Sequence, residues 1–393
     1  MITIRPFQKS DLKEVLALSK RSSSTNRTHD TWQSNNMTAI LAFDGSRLIG
    51  AIPLEPRSFS LGDKKLINIL WVSGAHVDLK YRGQGIGTAM DQKIKECFSP
   101  KFKAILVYRG DETSQAYRWY KKIGYHEFLP ILSFKRKVEK PDSIVRYMTL
   151  QNGLEIRQWE DTIYNCFNEC NSAYGGFPQR HRRFWSDKFN THYYREFYNY
   201  SLLVLRHRDT MISYAFLGQT DMKDSIKRID ILEIVSMGDN ISKKFLYNAI
   251  MDYAYKCNLK EIRIQLSFQD PNLIWMKSLG FINRWRTNIM GKIFDPIDYF
   301  KDCLSKSIDL EQEYRFSIQT PVLGIKHVGQ GKKTISLFTH DDVFNKMLFG
   351  RCNITNAIEE GKIVVLGGEE RVINIFKTLF PLNNWRYFHI DYI

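Results

Sequence analysis

The sequence lacks most of the features that mark secreted, membrane-spanning or zinc-binding proteins. It has six cysteines in 393 residues, no Cys-x-x-Cys pair, and no partner set to complete Cys166 and Cys170. This pattern predicts reduced thiols and no metal site. No apolar run approaches the roughly 18 residues of a membrane span, and the segment after Met1 has no apolar core of a signal peptide. We therefore expect a cytoplasmic protein that does not contact a membrane.

Acidic residues are also scarce. The chain has 57 Lys and Arg against 42 Asp and Glu, which is a formal net charge of +15. A basic surface attracts nucleic acids, anionic membranes or anionic small molecules. The densest basic cluster is only Arg180–Arg183, and no nucleic-acid motif stands out. A polyanionic small molecule is therefore the favoured partner, and nucleic-acid binding, which would be strongly salt-dependent, is the weaker alternative.

A glycine-rich turn lies between a predicted strand and a predicted helix at Val77–Met90. The apolar run Ile69–Val72 precedes it, and a helical pattern follows. Its three glycines keep the backbone open to a ligand, and the amides of the first helical turn attract anions. A P-loop needs Lys-Ser/Thr after its glycines, whereas Thr88 and Ala89 follow here, and the glycine spacing differs from a dinucleotide-binding fingerprint. The turn is therefore predicted to bind a phosphate group in another way.

Two motifs resemble the GNAT superfamily of acetyltransferases. Arg82–Gly87 reads Arg-x-x-Gly-x-Gly, and Ala116–Tyr125 reads Ala-x-x-x-Tyr-x-x-x-Gly-Tyr. The predicted order is also similar: strand, helix, three strands, helix, strand, helix, and two strands across Tyr125–Lys137, with a polar loop at 20–36. The resemblance implies acetyl-coenzyme A as cosubstrate, its pyrophosphate on the loop and its pantetheine arm on the strand before it. The residues implied are Ala75, His76, Val77, Arg82, Gly83, Gln84, Gly85, Ile86, Gly87, Thr88, Ser114, Gln115 and Ala116.

The chemistry of amine acetylation needs a base and an acid. An amine must attack the thioester as the neutral base, whereas a free ammonium has a pKa near 10. By resemblance, Tyr120 is the acid that protonates the departing thiolate, because a phenol is protonated at neutral pH. The alternative is an aromatic side chain that only packs on the sheet. His76 is a candidate base that is more often structural in a strand, and Glu55 and Asp78 are weaker candidates.

Residues 150–300 read as a degenerate copy of the first region. Glu155–Arg157 echoes the opening strand Thr3–Arg5, and Asn272–Phe281 aligns without gaps with Ala116–Tyr125. Met276 stands at the position of Tyr120, and the glycine loop is not repeated. We therefore expect this copy to bind no coenzyme. We expect it either to form one wall of the acceptor pocket or, equally, to contribute aromatic side chains that serve only for packing.

The last region resembles the sterol carrier protein fold in the stretches Thr334–Thr339, Asp342–Gly350 and Ala357–Ile363. We predict strands at Phe316–Gln319, Lys333–Phe338, Gly361–Leu366 and Tyr387–Ile390, and helices at Asp341–Leu348 and Glu370–Leu379.

The three-part order resembles the Eis (enhanced intracellular survival) family. The resemblance rests on Arg82–Gly87, Tyr120–Tyr125, the Gly350–Ile363 region and the ending His-Ile-Asp-Tyr-Ile393. It implies an α/β (α+β) protein with a catalytic acetyltransferase domain at 1–145, a degenerate one at 150–300 and a sterol carrier-like domain at 305–393. It also implies direct acetyl transfer to primary amines such as aminoglycosides or lysine side chains, a hexamer, and the terminal carboxylate of Ile393 as general base. The alternative for that terminus is burial for packing alone.

Two features leave the acceptor open. The loop is less arginine-rich than is common in Eis proteins, and a net charge of +15 steers polycationic amines away. The alternative acceptor is an amino sugar or another anionic amine. Outside enzymes, the alternative is a carrier of an apolar ligand, which the intact loop and Tyr120 disfavour.

Overall fold

The chain forms one large and one small β-sheet, both flanked by helices. In this computed structural model the described residues form 14 strands in the large sheet and four in the small sheet. The expected α/β (α+β) class is confirmed. The structure describes residues 1–22, 38–109, 112–141, 145–190, 197, 199–207, 210–221, 227–237, 240–305, 308–367 and 370–391.

A first unit (residues 1–141) supplies one half of the large sheet. The hairpin turn after Asp44 places Gly45 at φ +58°, a left-handed conformation that glycine adopts without strain. The polar stretch expected as a loop at 20–36 is helical up to Ser22 and otherwise lies outside the described residues. The strands are β1 (Ile2–Pro6), β2 (Thr38–Asp44), β3 (Arg47–Gly62), β4 (Lys65–Val72), β5 (His76–Val77), β6 (Ala104–Arg109) and β7 (His126–Lys137). The helices are α1 (Leu12–Ser22), α2 (Ile86–Phe98) and α3 (Gln115–Lys122).

A second unit (residues 145–293) supplies the other half. The strand expected at Glu155–Arg157 is wrong, because Asn152 Oδ1 accepts a hydrogen bond from Glu155 N at 2.9 Å and starts a helix there. The strand in this region lies just before the helix, at Met148–Leu150. The strands are β8 (Met148–Leu150), β9 (Gly175–Pro178), β10 (Asn199–His207), β11 (Thr210–Asp221), β12 (Lys227–Ser236), β13 (Glu261–Ser267) and β14 (Ile282–Ile293). The helices are α4 (Gly153–Arg157), α5 (Glu160–Asn171), α6 (Phe184–Asn190), α7 (Asn240–Lys256) and α8 (Leu273–Ser278).

The two units exchange their last strands. Strand β14 of the second unit lies between β6 and β7 of the first, so that Gly291 is opposite both Leu106 and His126. Strand β7 in turn pairs along its other edge with β13. The sheet order is β1-β2-β3-β4-β6-β14-β7-β13-β12-β11-β10-β8. The two strands expected across Tyr125–Lys137 are one strand, because both of its edges are paired and no turn interrupts it.

Each unit therefore buries side chains of the other in its core. Met290 and Phe294, on and just after β14, pack in the same apolar cluster as Ile86 and Tyr120 of the first unit. Phe134 of β7 packs in the cluster around α7 of the second unit. Burial of one such side chain stabilises the fold by about 1.5–3 kcal/mol. Neither unit has a complete core without the exchanged strand.

A C-terminal unit (residues 296–379) packs on the first unit around a shared apolar cluster. The helices expected at Asp341–Leu348 and Glu370–Leu379 are found at those bounds. The small sheet has the order β16-β15-β17-β18. Its strands are β15 (Tyr314–Thr320), β16 (Gly324–Val328), β17 (Lys333–Thr339) and β18 (Ile363–Leu366), and its helices are α9 (Pro296–Leu304), α10 (Ile308–Glu313), α11 (Asp341–Leu348), α12 (Ile354–Glu359) and α13 (Glu370–Leu379).

The chain then returns to the large sheet as a closing segment (residues 384–391). The strand expected at Tyr387–Ile390 is wrong: the segment makes a single bridge, Trp385 to Gly175, and ends in a 3-10 turn at His389–Asp391. It fills a gap between strands instead of extending an edge. Among the described residues, no helix is both long enough and apolar enough to cross a membrane.

Candidate active site

The glycine loop before α2 has the backbone geometry of an anion cradle. Gly83 and Gly85 both have φ +79°, a region that other residues enter only with strain. A Cβ built on either glycine would meet no atom within 4 Å, so the space in front of the loop is open. Gly85 is the N-cap of α2 and provides no side-chain cap. The first amides of this helix are therefore free to bind an anion.

Side chains next to the loop hold its shape. Arg82 Nε donates to Val77 O at 3.0 Å, and Gln84 Nε2 donates to Lys80 O at 3.2 Å. Asp78 caps the turn before the loop and pairs with Arg47 at 2.9 Å. Asp78, a weaker candidate base, is thus engaged in the fold. The exposed loop, its free amides and the guanidinium of Arg82 fit the pyrophosphate of a coenzyme.

A wedge opens between two strands beside this loop. Strands β4 and β6 pair in parallel only as far as Val72 and Val107. The chain then crosses to β5, where Ala51 pairs with His76 and Gly50 with Val77. We call the gap between residues 73–77 and 108–109 the first-unit wedge. Ala75, His76 and Val77 border this wedge, so their backbone groups could pair with an extended, amide-containing arm.

The side chain of His76 points into the fold. It is 5% exposed, whereas Ala75 is exposed and Val77 is half-buried. The backbone of His76 therefore borders the wedge, but its ring is enclosed by the first unit. This placement favours the structural interpretation of His76 over a role as base.

Tyr120 lies under the loop on α3. Ser114 Oγ accepts a hydrogen bond from Tyr117 N at 3.2 Å and starts this helix at Gln115 and Ala116. Tyr120 is 3% exposed and shares an apolar cluster with Ile86 and Val77. Burial raises the pKa of Tyr120 above its usual value, and Arg109 opposes the rise. The phenol is therefore protonated at neutral pH, as an acid must be.

Close packing of α3 on α2 positions Tyr120. Trp119 Nε1 donates to Thr88 Oγ1 at 3.3 Å, and the Tyr120 ring contacts Trp119 and Tyr125 at 4.6 and 4.8 Å between centroids. A Cβ on Gly87 would lie 3.1 Å from the Trp119 ring. Gly87 is therefore needed for close approach of the two helices.

The second unit supports this site through Lys292 on β14. Lys292 Nζ donates to Asp91 of α2 and lies 5.0 Å from the Tyr125 ring centroid. Tyr125 donates to the same carboxylate at 3.0 Å. The sequence did not indicate this contact, because nothing in a linear pattern shows that a strand from residue 282 onward enters the first unit.

A buried polar cluster anchors the closing segment beside the wedge. Asp391 is paired with Arg180 at 3.0 Å, and its carbonyl accepts from Arg57 Nη1 at 3.0 Å. Arg57 also binds Glu55 at 2.7 Å, and Glu55 accepts from the Ser73 hydroxyl at the start of the wedge. Burial raises the pKa of Asp391 to about 6, against the opposing effect of Arg180. Ile393, the expected base, lies outside the described residues, two positions further along.

Sequence reasoning missed Arg57, Arg180 and Asp391. Arg180 was noted only as part of a basic cluster, yet it is buried, paired with Glu233, and enclosed by the rings of Phe167 and Phe184 at 4.0 and 4.3 Å. An arginine flanked by aromatic residues is the only signal that could have suggested burial. Among the described residues, no group of His, Cys, Asp and Glu is arranged to hold a metal.

Comparisons with known proteins agree with this geometry. The sequence pattern of the family described as an acetyltransferase (GNAT) domain matches residues 3–127. Comparison with curated protein sequences gave no significant match.

Solved structures show similar folds at low identity. A GCN5-related N-acetyltransferase from Anabaena variabilis is 10% identical, with 99% of this chain and 100% of that chain covered and a TM-score of 0.69. Eis1 from Mycobacterium abscessus is 12% identical, with 98% of each chain covered and a TM-score of 0.62. A tandem GNAT protein from the clavulanic acid biosynthesis pathway is 12% identical over 75% of this chain and 99% of that chain, with a TM-score of 0.51.

These results argue against the alternative that the protein is only a carrier of an apolar ligand. With the open glycine loop and the buried phenol, they show that residues 3–127 form a GNAT acetyltransferase domain and that the protein is an acyltransferase.

Proposed function

We propose that the protein transfers the acetyl group of acetyl-CoA directly to a primary amine, with Tyr120 as general acid and the carboxylate of Ile393 as general base. The observation that carries the proposal is that a helix without a side-chain cap, which follows two left-handed glycines, packs in one apolar cluster with a buried phenol. The acceptors implied by the resemblance are aminoglycosides or lysine side chains.

The glycine loop and the first-unit wedge support binding of the cosubstrate. Its pyrophosphate would be held by the loop, and its pantetheine arm by the first-unit wedge. The bound thioester supplies an activated acetyl group. The residues proposed to hold it are Ala75, His76, Val77, Arg82, Gly83, Gln84, Gly85, Ile86, Gly87, Thr88, Ser114, Gln115 and Ala116.

Tyr120 holds the proton that the sulfur needs when the thioester bond breaks. Burial keeps this proton on the phenol in the resting enzyme, and Arg109 nearby favours its release when negative charge develops. The proton lost by the amine goes to the base.

The assignment of Ile393 is supported by the anchoring of the closing segment. Asp391 is held by Arg57 and Arg180, and Arg57 lies on β3 next to Glu55. Two further residues span at most about 7 Å. A terminal carboxylate at Ile393 would therefore remain close to the wedge.

A second acceptor class, an anionic amine such as an acidic amino sugar, is supported by the net charge of +15. Three cations also lie near Asp391, where Glu55, Glu233 and Asp391 itself balance them. Arg57, Arg180 and Lys188 lie around it, and burial with the neighbouring Arg57 lowers the pKa of Lys188 to about 8. The net charge favours an acceptor that carries negative charge as well as the amine.

Two further expectations stay proposals. We infer a sterol carrier-like fold for residues 305–393, supported by the four-stranded sheet and its helices. We also infer a homo-oligomer, a hexamer by resemblance.

Thiol release from acetyl-CoA, measured with an amine panel, tests the function. The panel holds aminoglycosides, lysine peptides, polyamines and anionic amino sugars. Turnover with the first two supports the leading proposal, and turnover with anionic amino sugars alone supports the second. Coenzyme binding without turnover of any of these amines would contradict both acceptor classes.

A further inference from the structure

A cavity of about 320 Å³ lies in the second unit, away from the first-unit wedge. We call it the second-unit cavity. It lies between the end of β12 at Ser236, the first turns of α7, and the turn before α8 at Pro271 and Asn272. These elements correspond to the end of β4, the start of α2 and the start of α3. The cavity thus occupies the place that the coenzyme loop has in the first unit.

A coenzyme does not fit this place. The second unit lacks the glycine loop, and its strand gap is filled by Arg386, Tyr387 and Phe388, which leave only about 10 Å³. Only the outer end of this strand gap, which is the second-unit cavity, remains open. Its volume is at the lower end of the roughly 300–1,000 Å³ typical of small-molecule sites.

Two cations line the second-unit cavity. Lys243 is half-buried in the first turns of α7 and makes no ion pair with a described residue. Arg386 is 5% exposed, and its hydrogen bonds to described residues, with Asp270 at 3.4 Å and Asn171 at 2.6 Å, use Nε and Nη1. Its Nη2 makes no hydrogen bond with a described residue. One acidic residue, Glu169, also lines the cavity, and Asp270, which pairs with Arg386, does not line it.

The thiol of Cys170 also lines the cavity and is affected by these two cations. Its Sγ lies 3.4 Å from Ser236 O. A hydrogen bond with Cys166, helped by Arg386 and Lys243, holds the pKa of Cys170 below its usual value. Cys170 is therefore a built-in chemical reporter of what enters the cavity.

We propose that the second-unit cavity binds a small organic anion, a carboxylate or phosphate compound, with Lys243 and Arg386 as its charge partners. The remaining lining residues, including Tyr174 and Met237, add apolar surface for the body of such a molecule. The site is separate from the acetyl-transfer site and does not depend on the acceptor identified there.

The experiment compares two thiol reagents on the full chain, with the Cys170 peptide followed by mass spectrometry. One is the dianionic 5,5′-dithiobis(2-nitrobenzoate), and the other is the neutral 4,4′-dithiodipyridine. We expect the anionic reagent to be preferred at Cys170, and Lys243→Met to lower this preference about fivefold. Millimolar inorganic pyrophosphate should slow Cys170 modification in the wild type but not in Lys243→Met.

Lys244→Met is the matched control, because Lys244 is the next residue of α7, is exposed, and does not line the cavity. It changes the net charge equally and should leave the preference intact. An equal loss in both variants, or no protection of the wild type by pyrophosphate, would overturn the proposal. Because the readout is at Cys170, pyrophosphate bound at the first-unit loop does not affect the conclusion.

Discussion

The first and second units share several local structural features. In each, a parallel strand pair runs for a short stretch and then separates, after Val72 in β4 and after Ile231 in β12. In each, a short helix ends at a left-handed glycine, Gly124 at φ +86° or Gly280 at φ +81°. The matching extends to hydrogen bonds: Tyr125 N donates to Tyr120 O at 3.0 Å, and Phe281 N to Met276 O at 3.2 Å.

The exchanged strands make the likeness reciprocal. Lys292 of β14 reaches Ile123 O, at the end of α3, at 3.4 Å. Arg136 of β7 donates to Leu279 O, at the end of α8. Each unit thus places one cation at the carboxyl end of a helix of the other unit, α3 or α8, where the helix dipole favours positive charge.

The units differ at the place where a ligand would bind. The first has a glycine loop, an open wedge and Tyr120, whereas the second has no such loop, Met276 in place of the phenol, and a wedge filled by the closing segment. The gap between two separating strands can therefore be left open, as in the first unit, or be occupied by another segment of the same chain, as in the second.

The largest effect is expected from Gly85→Glu. A side chain at φ +79° is strained, and its carboxylate would repel the coenzyme phosphates, so coenzyme binding should weaken at least about 100-fold. Calorimetric titration with coenzyme A checks this. Gly361→Glu is the control, since Gly361 has φ +69° and equally open surroundings but lies in the C-terminal unit. If both variants bind coenzyme equally well, the loop is not the cradle.

Tyr120→Phe removes the proton donor and should lower kcat by about 10²–10⁴, with coenzyme affinity unchanged. Met276→Leu changes the matching position of the second unit, conserves volume, and should leave kcat within a factor of two or so. Steady-state kinetics on both variants distinguishes them. Unchanged turnover in Tyr120→Phe would rule out the acid role and leave the residue as packing.

Phe388→Ala tests the filled wedge. Phe388 is 3% exposed and packs on Phe167 and Phe177 at 5.5 and 5.6 Å, so its loss should destabilise the fold by about 3–5 kcal/mol. Val77→Ala, at the open wedge, should cost only about 1 kcal/mol. Chemical denaturation compares the two. Equal costs would mean that the closing segment is not a structural filler.

Lys292→Met should destabilise the fold by about 1–3 kcal/mol and also lower activity, because it leaves Asp91 without its cation below Tyr125. Arg136→Met removes the corresponding contact on the second unit and should cost about 1 kcal/mol of stability with kcat unchanged. Melting curves and kcat measured together are the check. Loss of kcat in both variants would contradict the prediction that only the contact made by Lys292 supports activity.

A smaller effect concerns pH. The folded pKa of Asp391, about 6, exceeds its unfolded value near 4. Between these values the folded chain binds more protons, so this group's contribution to stability is fully present below pH 4 and is lost as the pH rises through 6. Asp391→Asn should flatten the stability profile across pH 4–6. An identical slope in both proteins would assign the pH dependence elsewhere.

Much of the first unit could be anticipated from the sequence, because its signals are local. The motifs Arg82–Gly87 and Ala116–Tyr125 act within a few residues, and the structure places the starts of α2 and α3 beside them. The same local signals misled where tertiary partners decide, as at Tyr387–Ile390, whose apolar pattern fits a strand but serves to fill a gap. Catalytic roles for Tyr120 and Ile393 stay predictions.

The sequence by itself determined most of the element types of the first unit, the glycine loop and the absence of a phenol at Met276, because these depend on residue identity and short-range spacing. Only the tertiary structure decided the strand exchange, the cation from Lys292, the Arg57–Asp391–Arg180 cluster and the filled second wedge. Those features join residues up to 334 positions apart, such as Arg57 and Asp391. Contacts of that separation follow from which surfaces bury each other, and no local pattern encodes them.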